Sequence, residues 1–195
     1  MKKTKAESAA ASRILATACD LFYRNGYRAT GINEIIEKSG VAKASFYANY
    51  PSKESLAVAY VKAMNAAEFR AADESLRKRK GPYDKLVGLM EFAGAWIRER
   101  DYRGCTHLNI SSEIPDPGNP VRFETRNHYD TLRQIVGGLM KELKAERGAA
   151  WKGRDPENMA DEYVLIYAGA MAMAPLYHDH QPLREAIVLV KRLIG

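Results

Sequence analysis

The sequence predicts an all-α protein, and three observations carry that expectation. Apolar residues recur at helical spacing along the chain, and no stretch of any length alternates as a strand would. Pro82, Pro120, Pro156 and Pro182 each stand at the start of such a segment, where the missing N–H of proline costs nothing. Residues 30–56, TGINEIIEKSGVAKASFYANYPSKESL, read as two short helices joined by a glycine turn and followed by the start of a third. Helices this short do not nucleate alone. They persist only when docked on other helices, and a helix-turn-helix is the common reason to hold such a pair rigidly. About nine helices are expected in all.

Helix 1 is expected over residues 7–25, with Ile14, Leu15, Ala18, Leu21 and Phe22 as its buried stripe and Gly26 as its stop. Ile32, Ile35 and Ile36 give helix 2 one apolar face, and Gly40 ends it. Helix 3 carries Phe46 and Tyr50 as core residues; Pro51 and Ser52 stop it and cap the next. Helix 4 is expected over residues 52–80, its last four residues placing cations where the helix dipole favours them. Gly81 and Pro82 break the chain and mark the best boundary. Helix 5 spans residues 82–100, with Leu86, Leu89, Met90, Ala93 and Ile97 on one face. After a loop, a short helix 6 covers residues 105–113, and PDPGNP at 115–120 is a loop by composition. Helix 7 is expected over residues 120–147, helix 8 over 156–177 and helix 9 over 182–194. Residues 164–174 leave helix 8 without a polar face, and helix 9 has a similar run at 186–190. A helix apolar all round must be covered on both sides. Two in succession favour a four-helix interface between two copies of the chain.

Charge is placed unevenly. Residues 1–62 hold ten Lys/Arg, among them Lys2, Lys3, Lys43 and Lys53, against five Asp/Glu. That surplus is five of the six net positive charges of the 195-residue chain, so a basic head sits on a nearly neutral body. Basic charge coinciding with a helix-turn-helix fits binding to the phosphates of DNA. Two cysteines are too few for a disulfide framework or a Cys-based zinc site. No apolar segment follows the first lysines, so no signal peptide is expected. The apolar run at 164–175 falls short of the ~18 residues a membrane span needs. A cytoplasmic protein is expected.

The same residues carry a family resemblance. Gly26, Tyr27, Thr30, Ile35, Gly40, Val41, Lys43, Phe46, Tyr47, Tyr50 and the run SKESL at 52–56 resemble, in order and spacing, the DNA-binding domain of TetR/AcrR-family transcriptional regulators. The departures are small. Ala42 and Gly31 stand where the family often has Ser or Thr, and Asn49 and Tyr50 replace a more usual His-Phe. A lost cap costs ~1 kcal/mol for Ala and a few tenths for Gly. The resemblance implies a three-helix DNA-binding domain over residues 6–66, its motif at about 30–49, and a helical effector-binding and dimerisation domain over 82–195.

Lys43, Ala44 and Ser45 open the recognition helix, whose first residues meet base edges in a helix-turn-helix. Ala44 lets the backbone approach or touches a thymine methyl, and Ser45 can donate to a base or phosphate. Tyr47 matches the tyrosine that contacts phosphate in the resembled family, with a place in the core as its alternative. Lys53 and the start of helix 2 at Thr30 and Gly31 are further phosphate sites, by charge and by free backbone N–H groups. For the effector, Phe92 and Trp96 share one face of helix 5, and Cys105 and Asn109 share one face at helix 6. His107, Glu113 and His128 complete the candidate set. The Gly104-Cys105 pair resembles a TetR-like subgroup, some of whose members sense electrophiles or oxidants through this cysteine. A helix start and Arg103 favour a thiolate there, whereas burial would make the cysteine inert packing. His178 and His180, two apart without further ligands in sequence, read as a solvated turn, so no metal or cofactor is expected.

These observations point to a dimeric DNA-binding regulator, a repressor released from a pseudo-palindromic operator by a small molecule. A thiol sensor acting through Cys105 is the alternative within that class. A small helical enzyme with an apolar substrate is the rival from another class. No nucleophile, base and orienting group can be read from the chain to support it.

Overall fold

A computed structural model describes residues 5–195, with side chains from residue 9 onward; the charges of Lys2 and Lys3 lie outside the described residues. Nine α-helices and one 3-10 turn, without strands, make up the described residues. They are α1 (Lys5–Asn25), α2 (Ile32–Ser39), α3 (Lys43–Asn49), α4 (Lys53–Leu76), α5 (Gly81–Arg98), α6 (Thr106–Glu113), α7 (Pro120–Arg147), α8 (Pro156–Tyr177) and α9 (Gln181–Ile194). The chain forms two compact units. The first takes the chain up to Ala67 together with Thr106–Arg126; the second takes Glu68–Cys105 with Asn127–Gly195.

In the first unit α1 packs on α2 and α3. Ile14, Ala18, Leu21 and Phe22 of α1 meet Ile35, Phe46, Leu56 and Tyr60 in one core. Phe22 stands edge-on to both Tyr27 and Tyr60 at 5.5 Å between ring centroids. Ile110 and Ile114 of the α6 region and Val121 of α7 are buried in the same core. Those three apolar residues explain why packing does not divide at Gly81 and Pro82. The segment after Cys105 belongs to the first unit because its apolar face is buried there. Further ties within this unit run from Asn119 Nδ2 to Glu54 Oε2 at 2.6 Å and from Lys62 Nζ to Glu124 Oε1 at 3.1 Å.

In the second unit α8 and α5 both pack on α9. Leu86, Met90, Ile97, Met140, Tyr163, Met171 and Val190 are buried there. Tyr163 Oη donates to the Leu86 carbonyl at 2.8 Å, which satisfies the one polar atom of a fully buried ring. The loop expected after α7 contains the 3-10 turn Gly148–Trp151, whose Trp151 is buried.

One helix end is corrected. α4 ends at Leu76, so the cations at 77–80 follow the helix rather than form its last turn. Lys80 is extended (φ −99°, ψ 123°) and Gly81 has φ +75°, the conformation that leads into Pro82 and a new helix. In the single chain, Leu165, Met173, Leu176 and Tyr177 of α8 are exposed.

Candidate nucleic-acid interface and effector cavity

The helix-turn-helix is built by local rules. α2 ends at Gly40, which takes the left-handed conformation (φ +63°) and donates its N–H to the Glu37 carbonyl at 3.2 Å. Val41 N–H then reaches the Ile36 carbonyl. α3 starts behind Ala42, which supplies no side-chain cap. Ser52 caps α4: its Oγ accepts from Ser55 N–H at 3.0 Å, and Ser55 Oγ accepts from Ser52 N–H at 3.1 Å. Phe46 anchors α3 in the core, while Lys43, Ala44 and Tyr47 are exposed and Ser45 is half-buried. Gly31 is exposed at the start of α2 and offers its backbone without a side-chain cap.

The side chains of the other two candidates for phosphate contact, Thr30 and Lys53, make contacts within this unit. Thr30 is fully buried; its Oγ1 donates to the Gly26 carbonyl at 2.8 Å, so its side chain ties down the α1–α2 turn. Lys53 is half-buried, its ammonium 4.5 Å from the Tyr27 ring centroid and 3.4 Å from the Arg28 carbonyl it donates to. Burial lowers the pKa of this ammonium, and the nearby Glu113 carboxylate partly offsets that.

Glu113 is a correction to the effector set. Its two oxygens accept from the backbone N–H groups of Tyr27 (2.9 Å) and Arg28 (2.6 Å), inside the first unit. The turn is cut to fit: Gly26 has φ +94°, and a Cβ there would stand 3.0 Å from Glu113 Oε1. Only glycine meets both demands at once. His107, fully buried, and Asn109, half-buried, also belong to the first unit.

The second unit holds a cavity of about 210 Å³ among residues of α4, α5, α7 and α8. Phe92 and His128 line it, as do Glu68, Phe69, Leu132 and Tyr167. Trp96 stands a turn from Phe92 with ring centroids 5.5 Å apart, but it lies beneath the Arg100 guanidinium, 3.3 Å away, rather than in the wall. Cys105 is buried, with its Sγ 3.5 Å from Tyr129 Oη, and is likewise absent from the wall. Burial pushes the His128 imidazole down to about 4, so it is neutral at pH 7. Glu68, Phe69 and Tyr167 are missed by sequence reasoning. Glu68 carried a signal nonetheless: it falls in step with Val61 and Ala72 on the buried stripe of α4, an acid where an apolar residue belongs.

Residues 14–60 match the family model described as bacterial regulatory proteins, tetR family. Residues 82–190 match the tetracyclin repressor-like C-terminal domain. This chain belongs to the TetR family. LmrA of Bacillus subtilis strain 168, an HTH-type transcriptional regulator, is 45% identical over 169 residues, covering 85% of this chain and 90% of LmrA. The HTH-type transcriptional repressor NemR of Escherichia coli K12 is 23% identical over 184 residues, covering 93% of this chain and 92% of NemR. The fold is also that of SCO4454, a TetR-family regulator from Streptomyces coelicolor, with TM-score 0.85 at 23% identity over 96% of this chain and 95% of the other. This TetR-family chain is therefore a transcriptional regulator with an N-terminal helix-turn-helix and a helical C-terminal domain. Among the described residues, no helix is long and apolar enough to cross a membrane.

Proposed function

We propose that this regulator is a dimeric repressor that leaves its operator when a small molecule fills the cavity of the second unit. The cavity carries the reading. It is concave, mostly apolar, lined by aromatic rings and furnished with a few polar groups, the usual make-up of a ligand site. Its occupant is taken to be non-covalent, because Cys105 is buried and outside the wall. Buried thiols of that kind are inert.

For DNA, α3 is the recognition helix. Lys43 and Ala44 lead its exposed first turn, Ser45 stands beside them, and Tyr47 and the backbone at Gly31 meet phosphates. The dimer forms through α8 and α9. A cleft of about 520 Å³ between them is lined by Leu165, Met173, Tyr177 and Leu189 among others, and these four are exposed. Ala172, also exposed, shares the α8 face of Leu165 and Leu176. A symmetric dimer places two recognition helices ~34–36 Å apart, on a pseudo-palindrome.

The test uses a duplex recovered by selection from random DNA and a ligand found by thermal-shift screening. Release is followed by fluorescence anisotropy. Phe92→Ala is expected to raise the ligand concentration for half-release at least about tenfold, the value of one lost aromatic contact. Cys105→Ser is expected to leave it nearly unchanged. The reverse pattern would replace the cavity by a thiol sensor at Cys105.

A further inference from the structure

The identity of the ligand can be narrowed, given the reading of the cavity as the effector site. Its wall is apolar or aromatic apart from a few groups, and the buried acid among these is Glu68, 6% exposed. Tyr167 Oη donates to Glu68 Oε1 at 3.0 Å. Burying a carboxylate is costly unless an opposite charge and hydrogen bonds compensate it. One phenol does not suffice: burial still pushes the Glu68 carboxyl up to about 7, against the opposing pull of Tyr167 and Arg100.

The positive charge of Arg100 is shared elsewhere. Its guanidinium lies over Trp96, donates to the Trp96 carbonyl at 3.2 Å and stands 3.8 Å from Glu99. His128, whose ring is 5.0 Å from that of Phe69, adds no positive charge at neutral pH. A second acid, the exposed Asp73, lines the same cavity. The rings of Phe69, Phe92 and Tyr167 add negative π-faces. Apart from the neutral His128, the features of the wall that are not simply apolar therefore favour a cation.

We propose that the effector is a small aromatic cation: one ring on a short chain ending in a protonated amine, the nitrogen held by Glu68 and the ring packed against Phe69 and Phe92. Size agrees with the charge. A buried apolar cavity of roughly 150 Å³ accepts benzene, so about 210 Å³ admits one ring and a short chain. An anion of the same shape meets two acids, and a neutral analogue leaves the Glu68 carboxylate without its counter-charge.

Calorimetry on the full chain at neutral pH tests this with 2-phenylethylamine, 2-phenylethanol and 3-phenylpropanoate. The amine is expected to bind about tenfold more tightly than the alcohol, because it alone brings a charge opposite to the buried carboxylate, and 3-phenylpropanoate is expected not to bind. Glu68→Gln keeps the shape and is expected to abolish the preference for the amine over the alcohol. If the alcohol matches or exceeds the amine on the parent chain, and Phe92→Ala abolishes its binding, the cavity stands and the cationic ligand is refuted. If none of the three probes binds at millimolar concentration, the cavity reading falls and the ligand class with it. Should Glu68→Gln fail to fold, the order of the three probes on the parent protein decides alone.

Discussion

Removing the Glu113 carboxylate is the sharpest perturbation the first unit offers. Its oxygens accept from the N–H groups of Tyr27 and Arg28, the two residues that follow Gly26 in the turn between α1 and α2. A hydrogen bond to a charged partner contributes ~1.5–3 kcal/mol when water is kept away. Here the Tyr27 bond is half-buried and the Arg28 bond is exposed, so water replaces much of the second. Glu113→Ala should therefore cost about 2 kcal/mol. For a chain of this length that lowers the melting temperature by roughly 4–8 °C. Glu113→Gln keeps one good acceptor oxygen and should fall between the parent and the alanine variant. The assay is thermal unfolding by circular dichroism, paired with anisotropy of a labelled operator duplex. The turn sets where α2 begins, so operator binding should weaken in the same order as stability. The concentration of effector needed for release, measured at matched DNA occupancy, should not move. A Glu113→Ala melting curve within about 1 °C of the parent would refute the magnitude, and a large shift confined to the effector titration would return Glu113 to the ligand site.

Three further outcomes are expected. Lys43→Ala and Tyr47→Phe should each weaken operator binding with unchanged circular dichroism, and Lys43→Ala should reduce the salt slope by about one; parent-like binding by both would remove α3 from the groove. Ala172→Arg, on the exposed face of α8, should give a folded monomer by sedimentation, and a stable dimer at micromolar concentration would move the interface elsewhere. Glu68→Gln should change the pH dependence of stability. The folded pKa of this group is raised to about 7, so its contribution is full below the unfolded value and fades as pH rises through neutrality, by up to about 3 kcal/mol. His128, lowered to about 4, acts oppositely and weakens the fold on acidification below about 6.5. The Gln variant should therefore lose the decline that runs from the ordinary carboxylate range up to about pH 7, and lose stability more steeply as pH falls; an unchanged profile would show that Glu68 titrates normally.

What the sequence discloses about this fold follows from the range of each cause. The turn at Gly40, the cap at Ser52 and the starts of α7 and α8 rest on one or two residues acting within a helical turn, and they lie where the spacing puts them. The end of α4 was misplaced by a few residues because four cations favour a helix terminus wherever the helix stops, whereas the extended Lys80 and left-handed Gly81 fix the actual end. Helical spacing pairs Cys105 with Asn109 at α6, but the allegiance of that helix is decided by Ile110, Ile114 and Val121 entering a core whose other residues lie some fifty or more positions earlier. Glu113 follows α6 into the first unit, and no local pattern announces that its partners are two backbone amides 85 and 86 residues away.

Phe92 is reachable because a helical face is periodic, whereas no spacing argument singles out His128; Glu68 and Tyr167, which meet from 99 residues apart, are not reachable as a pair. Yet Glu68 alone was legible as a conflict. An acid in register with Val61 and Ala72 breaks the apolar stripe of α4 at a cost that nothing in the helix itself repays. Local conflict of that kind is where a sequence gives up stability for function. The hydrogen bond from Tyr167 offsets only part of the cost, since the carboxyl still titrates well above the ordinary range. The remainder is a standing demand for positive charge inside an aromatic cavity, and a ligand that supplies it gains what the folded chain alone cannot.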